Sequence, residues 1–348
     1  MLGEATRGYI LELLLTKICY LIKEKGLMIQ IIGMSATCPN LEDISSWLGT
    51  KLYITHFRPV PLIEKIYFES NLYNVHDMTP LIFPQYFFSF KVRDPVLPLT
   101  LETVLEGNGV LIFCSSKSKC EDLAKKLASF FNLILYKSKK QREEVEIQNR
   151  FKKVILESNH KVLLEQLARS PAALEPLFEK IIPYGVAFHH AGLSLDERDI
   201  VEDGFRRGIL KVLVATSTLS SGVNLPARRV IIASPKFYNQ VMDVISYKQM
   251  IGRDGRKGID SEGESILICD DNHSQDGQSL AQASLRKIES RILFNHVTLN
   301  NEISISDNIK RAVLEVFANR ICSTFEEVKK FLNKTFYACS GEIKNELI

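Results

Sequence analysis

Short apolar runs alternate with stretches of helical periodicity along this chain. Residues 9–24 place apolar side chains three and four positions apart, which predicts an amphipathic helix. The run at 28–37 is apolar and ends in small hydroxylated residues, so it predicts a buried strand that leads into a loop. A second helix is predicted to begin at Pro39 and Asn40 and to end at Gly49. The first part of the chain therefore has an α/β pattern, with a helix before its first strand.

A more regular alternation begins near residue 101. Helical stretches separate five short apolar runs that predict buried strands, at 110–114, 185–190, 210–215, 229–233 and 264–269. Ser194 and Glu197 have the spacing of a capping box, which predicts the start of a helix that ends at Gly208. Strands that alternate with helices predict the α/β class, with a parallel sheet covered on both faces.

Differences in pattern divide the chain into four predicted regions. The second holds six prolines and one predicted strand, at 62–68, and is interpreted as a connection. The third carries a charged, mostly helical insertion at 137–180. The four regions are residues 1–58, with the first α/β pattern, residues 59–100, the linker, residues 101–275, the regular α/β domain, and residues 276–348, an α-rich domain.

Composition narrows the class of protein without identifying a ligand. Hydrophobic residues make up 45% and charged residues 24%, which excludes a disordered chain. The 44 Lys and Arg against 41 Asp and Glu leave a net charge of only +3, so any surface that binds nucleic acid must be a local one. No apolar run approaches the roughly 20 residues that span a bilayer, and we expect no membrane partner.

The seven cysteines predict reduced thiols of an intracellular protein. The nearest pair, Cys114 and Cys120, is too widely spaced for a CxxC motif, and no second cluster completes a zinc site. We therefore expect no bound structural metal. Asp270 and Asp271 follow an apolar run as a Mg²⁺ carboxylate would, but a strand that ends in solvent explains them better.

Two kinds of nucleotide-binding loop are missing from the sequence. The glycine pairs Gly3–Gly8 and Gly258–Gly263 have the P-loop spacing but lack its lysine, which cradles the phosphates. No GxGxxG fingerprint occurs either, which excludes an oxidoreductase of the dinucleotide-binding type.

The segment at 249–258 gives the strongest chemical signal. Arg253 and Arg256 lie between three glycines. Glycine lets the backbone approach a ligand, and arginine offers a planar fork to phosphate oxygens. Such a segment can supply an arginine finger to a nucleotide that is held elsewhere. A solvated basic turn is the open alternative.

Hydroxyls, a lysine and histidines follow three of the predicted strands. Five hydroxyls precede Gly222 after the strand at 210–215, Ser115-Ser116-Lys117 follow another strand, and His189-His190 end a third. The carboxyl ends of parallel strands meet at one edge of a sheet, where ligands bind, and hydroxyls suit a phosphate backbone. The alternatives are a polar loop with a helix cap and histidines that only make a turn.

In this order, the segments resemble the second half of the core of superfamily 2 DExH-box helicases. The sequences at 216–232 and 249–258 are similar to those of a DNA-repair branch that includes the helicase-like region of DNA polymerase theta and the polymerase theta-like helicase HELQ. The polymerase theta type is favoured. The matching segments are 34–37 with motif III, 111–117 with motif IV, 188–193 with motif IVa, 216–232 with motif V, and 249–258 with motif VI.

The resemblance implies two RecA-like domains with ATP and Mg²⁺ between them. It implies that residues 1–58 are a C-terminal remnant of the first domain, that 101–275 are the complete second domain, and that 276–348 are part of a winged helix. The chain would start just after the DExH motif, without the main ATP-binding motifs I and II. The implied partners are single-stranded or branched DNA, the missing first RecA-like domain and a downstream polymerase domain. The implied location is the nucleus.

Roles carry over to the residues that match these motifs. The resemblance implies γ-phosphate contacts from Arg253 and Arg256, with Gln249 nearby. It places Gly222, Asn224 and Gly252 on the nucleotide side. It implies that Ser35 and Thr37 couple ATP to DNA. The residues implied to face the DNA backbone are Thr216, Ser217, Thr218, Ser115 and His190.

Two functions remain open at this point. The first is an ATP-dependent DNA helicase, or DNA-dependent ATPase, of DNA repair, with this polypeptide inactive by itself. The second is a catalytically inactive module that binds DNA or protein. Asp254 departs from the small residue usual in motif VI, and its carboxylate could pair with a neighbouring arginine, so we expect a weakened response to nucleotide.

Overall fold

The structure is a computed structural model that divides into two compact units. The larger is Phe57–Ser284, and the smaller joins Met1–His56 to Leu285–Ile348. The described residues are 8–35, 40–55, 57–58, 60–82, 92–136, 142–156, 159–170, 175–220, 225, 227–237, 240–253, 255, 261–269, 274–282, 298–299, 302–303 and 307–339.

The helices are numbered in chain order. They are α1 (Gly8–Lys25), α2 (Leu41–Leu48), α3 (Val96–Leu105), α4 (Lys117–Tyr136), α5 (Arg142–Leu156), α6 (His160–Ala168), α7 (Pro176–Ile181), α8 (Leu195–Arg206), α9 (Val244–Ile251), α10 (Ser274–Gln282), α11 (Asp307–Ala318), α12 (Phe325–Leu332) and α13 (Phe336–Cys339). Among the residues described here, no helix is both long enough and apolar enough to cross a membrane.

The strands are numbered in the same way. They are β1 (Leu62–Phe68), β2 (Asn71–Asn74), β3 (Pro80–Leu81), β4 (Val110–Cys114), β5 (Val186–His189), β6 (Val212–Thr216), β7 (Arg229–Ile232), β8 (Lys236–Phe237), β9 (Gln240–Val241), β10 (Gly263–Ile268), β11 (Thr298–Leu299) and β12 (Glu302–Ile303).

Eight of these strands form one sheet in the larger unit, in the order β3-β2-β1-β10-β7-β4-β6-β5. Six strands, β1, β10, β7, β4, β6 and β5, pair in parallel, and β2 and β3 add antiparallel strands next to β1. Every residue of β4, β5, β6, β7 and β10 is buried, as expected for parallel strands with both faces covered. The predicted α/β class with a parallel sheet and an α-rich C-terminal part is confirmed.

Local signals in the sequence set the ends of several elements. Ser194 Oγ accepts a hydrogen bond from the Glu197 amide at 3.2 Å, and the Glu197 carboxylate accepts one from the Ser194 amide at 2.8 Å. The predicted capping box therefore starts α8. Gly208, with φ +73°, follows the end of that helix. The predicted first two helices are also confirmed, and Gly49 ends α2 in the left-handed conformation.

The predicted linker contributes to the sheet. Its one predicted strand is confirmed as β1, which pairs in parallel with β10 from Leu62 opposite Gly263 onward. Two further strands, β2 and β3, follow it in the same sheet. The four regions named from the sequence stay predictions, and the compact larger unit includes β1 to β3.

The strand predicted at 28–37 is wrong for its described residues. Residues 26–35 form neither helix nor strand, and the side chains of Met28, Ile32 and Met34 are exposed. A strand needs a neighbour to bond its backbone, because an isolated one leaves its N–H and C=O groups unpaired. The described strands of the smaller unit, β11 and β12, pair with each other. An apolar run alone therefore did not suffice for a strand here.

A buried network of charges ties three strands to one helix. The Arg229 guanidinium, 9% exposed, contacts the Glu264 carboxylate, the Glu102 carboxylate at 2.7 Å and the Leu99 carbonyl at 2.6 Å. Lys65 pairs with the same Glu264 carboxylate. Burial raises the pKa of Glu264, but the two cations outweigh it and leave that pKa below the ordinary value. The network joins β1, β10, β7 and α3 near the amino ends of the strands.

The smaller unit joins the first helix to the last ones. Tyr9, Leu13 and Tyr20 on α1 share an apolar cluster with residues of α11 and α12, including Val316 and Phe331. Ion pairs surround this cluster. They are Lys17–Glu315 at 2.5 Å, Lys25–Glu327 at 2.9 Å, Lys334–Glu24 at 3.4 Å and Lys330–Glu24 at 3.8 Å.

A second contact in the same unit anchors α2. The indole Nε1 of Trp47 donates a hydrogen bond to the Lys334 carbonyl at 2.7 Å, and its ring lies 5.1 Å from that of Phe336. Residues from the two ends of the described chain therefore build two apolar clusters of the smaller unit.

The Arg229→Ala substitution should destabilise the larger unit by about 3–5 kcal/mol, because it breaks a buried ion pair, leaving Glu264 with Lys65 alone and Glu102 without Arg229. Urea unfolding followed by circular dichroism measures this loss. Trp47, the single tryptophan, reports on the smaller unit, so its fluorescence transition should stay in place. Arg206→Ala, which removes an exposed arginine 3.8 Å from Asp203, is the control and should change stability by less than about 0.5 kcal/mol. An equal effect of the two substitutions would contradict the role of the network.

Candidate functional site

Three neighbouring strands bring predicted DNA-facing residues to one edge of the sheet. The strands β5, β6 and β4 are adjacent, with His189 opposite Ala215 and Cys114 opposite Thr216. Their carboxyl ends therefore place Ser115, His190 and Thr216 on neighbouring strand ends. Each of these three side chains is mostly buried, at 5–7% exposure. We call this the carboxyl edge.

Ser217 and Thr218 continue from β6 into a short 3-10 turn at Ser217–Ser220. Ser217 is half-buried. The side chain of Thr218 lies outside the described set, so only its place in the turn is known. The predicted group of hydroxyls thus begins at the carboxyl edge.

The His190 ring is held on both sides. Its Nε2 lies 3.1 Å from Glu121 Oε1, and its Nδ1 accepts a hydrogen bond from the Gly192 amide at 3.1 Å. Because Nδ1 accepts, the neutral ring carries its proton on Nε2 and donates it to the carboxylate. Phe188 stacks on the ring at 5.1 Å. His190 thus orients the turn that follows β5, and its direct contact with DNA stays a prediction.

His189 points into the core instead. Its Nε2 lies 2.7 Å from Glu202 Oε1, and its Nδ1 makes no hydrogen bond to the described residues. Burial lowers the pKa of this imidazole, and the nearby Glu202 carboxylate only partly offsets the effect. The two consecutive histidines therefore differ in role, because alternate residues of a strand face opposite sides.

Lys117, which the sequence placed with Ser115 and Ser116 after a strand, was given no DNA-facing role by the resemblance. It is exposed at the start of α4, directly after the Ser115-Ser116 pair. A Cβ built on Gly192 would lie 3.5 Å from Lys117 Nζ, so the ammonium lies beside the turn that His190 orients. The sequence thus indicated its place at the carboxyl edge, and the structure adds that its ammonium lies close to Gly192.

The second candidate group lies at the end of α9. Asp243 caps this helix by accepting a hydrogen bond from the Ser246 amide at 2.8 Å, and Lys248 pairs with Glu64 of β1 at 3.1 Å. Gln249 is half-buried and Gly252 exposed. Arg253 is half-buried, and burial lowers the pKa of its guanidinium. The contact of Arg253 with a nucleotide phosphate stays a prediction.

Two backbone hydrogen bonds join this group to the start of β7. The Ala227 amide donates to the Arg253 carbonyl at 3.0 Å, and the Gly255 amide donates to the Ala227 carbonyl at 2.6 Å. Ala227 precedes β7, so Arg253 lies near the amino ends of the strands, opposite the carboxyl edge. The segment at 216–227 starts at the one edge and ends at the other.

Several predicted residues lie outside the described part of the chain. They are Arg256, Gly222, Asn224, Thr37 and also Asp254, whose expected effect on the arginines stays a prediction. Ser35 is described and exposed, but it belongs to the smaller unit, whereas the other described candidates belong to the larger one. Within the described ranges, no three His, Cys, Asp or Glu residues are grouped as metal ligands.

Comparison with known proteins gives two family matches. Residues 152–258 match the helicase conserved C-terminal domain, and residues 263–346 match a helix-turn-helix domain. The first match includes β5 to α9 with His190, Thr216 and Arg253, whereas Ser115 and Lys117 precede it, and the second covers β10 and the α-rich region.

Similar proteins match almost the whole chain. DNA polymerase theta of Mus musculus is 42% identical over 98% of the chain, and Helicase POLQ-like of Homo sapiens is 33% identical over 99%. ATP-dependent DNA helicase Hel308 of Caldivirga maquilingensis is 33% identical over 98%. The chain spans 13%, 29% and 41% of the lengths of these three relatives.

The Gly255→Ala substitution should disturb the segment that carries Arg253. Gly255 has φ +76°, and a Cβ there would lie 2.4 Å from Val60 Cγ1. We expect a loss of about 2–4 kcal/mol in unfolding free energy, from backbone strain together with overpacking. Gly107→Ala is the matched control, since Gly107 has φ +82° with open space around it, and should cost only about 1–2 kcal/mol. Equal losses in urea unfolding would show that Val60 does not restrict this position.

Proposed function

We propose a function from the premise that this chain belongs to the superfamily 2 helicases of the polymerase theta, POLQ-like and Hel308 type. This membership confirms the resemblance inferred from the five motifs. The function that we propose for this chain is to bind DNA and to contact ATP as part of an ATP-dependent DNA helicase of DNA repair. The nuclear location that we also propose rests on the resemblance alone.

The proposal that the chain binds DNA rests on the composition of the carboxyl edge. Ser115, Thr216 and the turn after His190 meet there, with the Lys117 ammonium beside them. Hydroxyls and one lysine suit phosphate oxygens and carry no base preference. Single-stranded DNA, with its accessible backbone, is therefore the favoured partner, and branched DNA offers the same backbone.

The nucleotide part rests on α9 and the residues that follow it. Arg253, with Arg256 and Gln249, would hold the γ-phosphate, and Gly222, Asn224 and Gly252 would line the nucleotide. ATP supplies the free energy of phosphoryl transfer when it is bound with Mg²⁺. The half-buried guanidinium of Arg253 is suited to neutralise phosphate charge, because low exposure strengthens the interaction of opposite charges.

One segment could couple the two parts. Residues 216–227 start among the DNA-facing hydroxyls and end in hydrogen bonds to the backbone of Arg253 and Gly255. A shift of the arginines on binding nucleotide would therefore pull on the segment that contacts DNA. Ser35 and Thr37 would take part from the other RecA-like domain, and the helix-turn-helix domain would add a further DNA contact, in the form of a winged helix.

A non-enzymatic DNA-binding module is the second candidate. The observation that favours it is the absence of a P-loop in the 348-residue sequence. The two candidate functions both include DNA binding and differ in ATP turnover, so one pair of assays separates them.

The polypeptide 1–348 should show no DNA-stimulated release of phosphate from ATP, because it has no loop to cradle the phosphates. A phosphate-release assay with and without single-stranded DNA measures this. Turnover that disappears with Arg256→Ala would contradict the prediction and make this polypeptide an ATPase by itself.

The polypeptide should bind fluorescent single-stranded DNA, as measured by anisotropy over a range of salt concentrations. The Lys117→Ala variant should bind more weakly, and the slope of log affinity against log salt should fall by about 0.7 for the lost phosphate contact. Lys126→Ala is the control, as an exposed lysine of the same helix about 13 Å farther from the edge. Equal slopes for all three proteins would argue against the carboxyl edge as the DNA site.

A further inference from the structure

An acidic residue lies at the carboxyl edge, where its negative charge should hinder the binding of DNA. Glu121 lies in the second turn of α4, and its side chain is 36% exposed. A carboxylate near a phosphate backbone costs affinity by like-charge repulsion. The residue must therefore do something that offsets this cost, or the edge does not bind DNA.

The contacts of Glu121 lead to the turn beside Lys117. Its carboxylate accepts a hydrogen bond from His190 Nε2 at 3.1 Å. His190 Nδ1 accepts a hydrogen bond from the Gly192 amide at 3.1 Å. The His190 carbonyl accepts the Leu193 amide at 3.1 Å, which closes the turn. The carboxylate and the turn are thus joined through one ring.

The turn packs closely against the His190 ring. A Cβ on Gly192 would lie 3.0 Å from both Cε1 and Nδ1 of His190 and 3.5 Å from Lys117 Nζ. The ring itself is 5% exposed and stacks on Phe188. The place of the Gly192 amide relative to the lysine therefore depends on the ring, and the ring depends on Glu121.

We propose that Glu121 is a positioning residue for DNA binding, which acts through the His190 ring to fix the 190–192 turn beside Lys117. This inference rests on the proposed function, in which DNA binds at the carboxyl edge. It predicts an effect opposite in sign to simple electrostatics, because loss of a negative charge would then weaken binding to an anion.

Asp122 provides a matched control. It is the next residue of the same helix, it is also acidic, and its side chain is 60% exposed. It pairs with Lys125 at 3.7 Å and lies 3.5 Å from Ser118 Oγ, both within α4. Glu121→Ala and Asp122→Ala remove the same charge from nearly the same place, but only the first releases His190.

The experiment measures the affinity of the polypeptide 1–348 for fluorescent single-stranded DNA in the unaltered protein and three variants. Glu121→Ala should weaken binding about 3- to 10-fold, the effect of losing one positioning hydrogen bond. Glu121→Gln keeps the acceptor and should bind within about 2-fold of the unaltered protein. Asp122→Ala should bind equally or more tightly. If the thermal unfolding of Glu121→Ala is unchanged, the loss of DNA affinity arises at the site and not from a loss of stability.

Amide exchange supplies a readout independent of DNA. The Gly192 N–H should exchange at least about 10-fold faster in Glu121→Ala than in Glu121→Gln, since its acceptor ring is no longer held. Binding by Glu121→Ala as tight as that of the unaltered protein, or tighter, would overturn the inference alone. Failure of the unaltered protein to bind DNA would overturn the proposed function and the inference with it.

Discussion

The buried pairing of Arg229 with Glu264 and Glu102 is the constraint on which the larger unit depends. One guanidinium serves carboxylates from β10 and α3, and Lys65 of β1 completes the set. Each of these charges would be costly to bury alone, so the elements that carry them must come together. A slip of β1 by one residue against β10 would turn Lys65 to the opposite face, away from Glu264. The network therefore fixes the register of the strands near their amino ends.

This arrangement places the buried ion pairs at one end of the strands and the candidate DNA-facing residues at the other. The amino ends of β7 and β10 hold the buried network, whereas the carboxyl ends of β4, β5 and β6 hold Ser115, His190 and Thr216. Arg228 and Arg229, which follow the hydroxyl-rich segment, pair with Glu262 and Glu264 rather than facing a phosphate backbone. The segment at 216–227 is the covalent path between the two edges, and its end is fixed by the backbone of Arg253.

Local signals were enough to predict much of the fold from the sequence. The capping box at Ser194 and the apolar runs of β4 and β6 act within a few residues, and each produced the expected element. The prediction of a strand at 28–37 failed because a strand also needs a partner. Whether one exists depends on residues far away in the chain, which periodicity does not reveal.

The candidate site shows the same limit. The carboxyl edge was predictable, because parallel strands bring their ends together whatever their order. The role of His190 was not, because it depends on Glu121, a residue 69 positions earlier whose side chain meets the ring only in the fold. The place of Lys117 beside Gly192 has the same origin. Contacts between distant segments decide which of several plausible polar residues faces a ligand.

The smaller unit has a consequence for synthesis on the ribosome. Tyr9 Oη donates a hydrogen bond to the Asn308 carbonyl at 3.1 Å, across 299 positions of the chain. At about 5–20 residues per second, α1 waits roughly 15–60 s after it is made before α11 and α12 emerge to cover its apolar face. The larger unit can fold completely during that interval. The core that α1 shares with α11 and α12 is therefore completed only after the whole larger unit has been synthesised, although α1 is the first helix of the described chain.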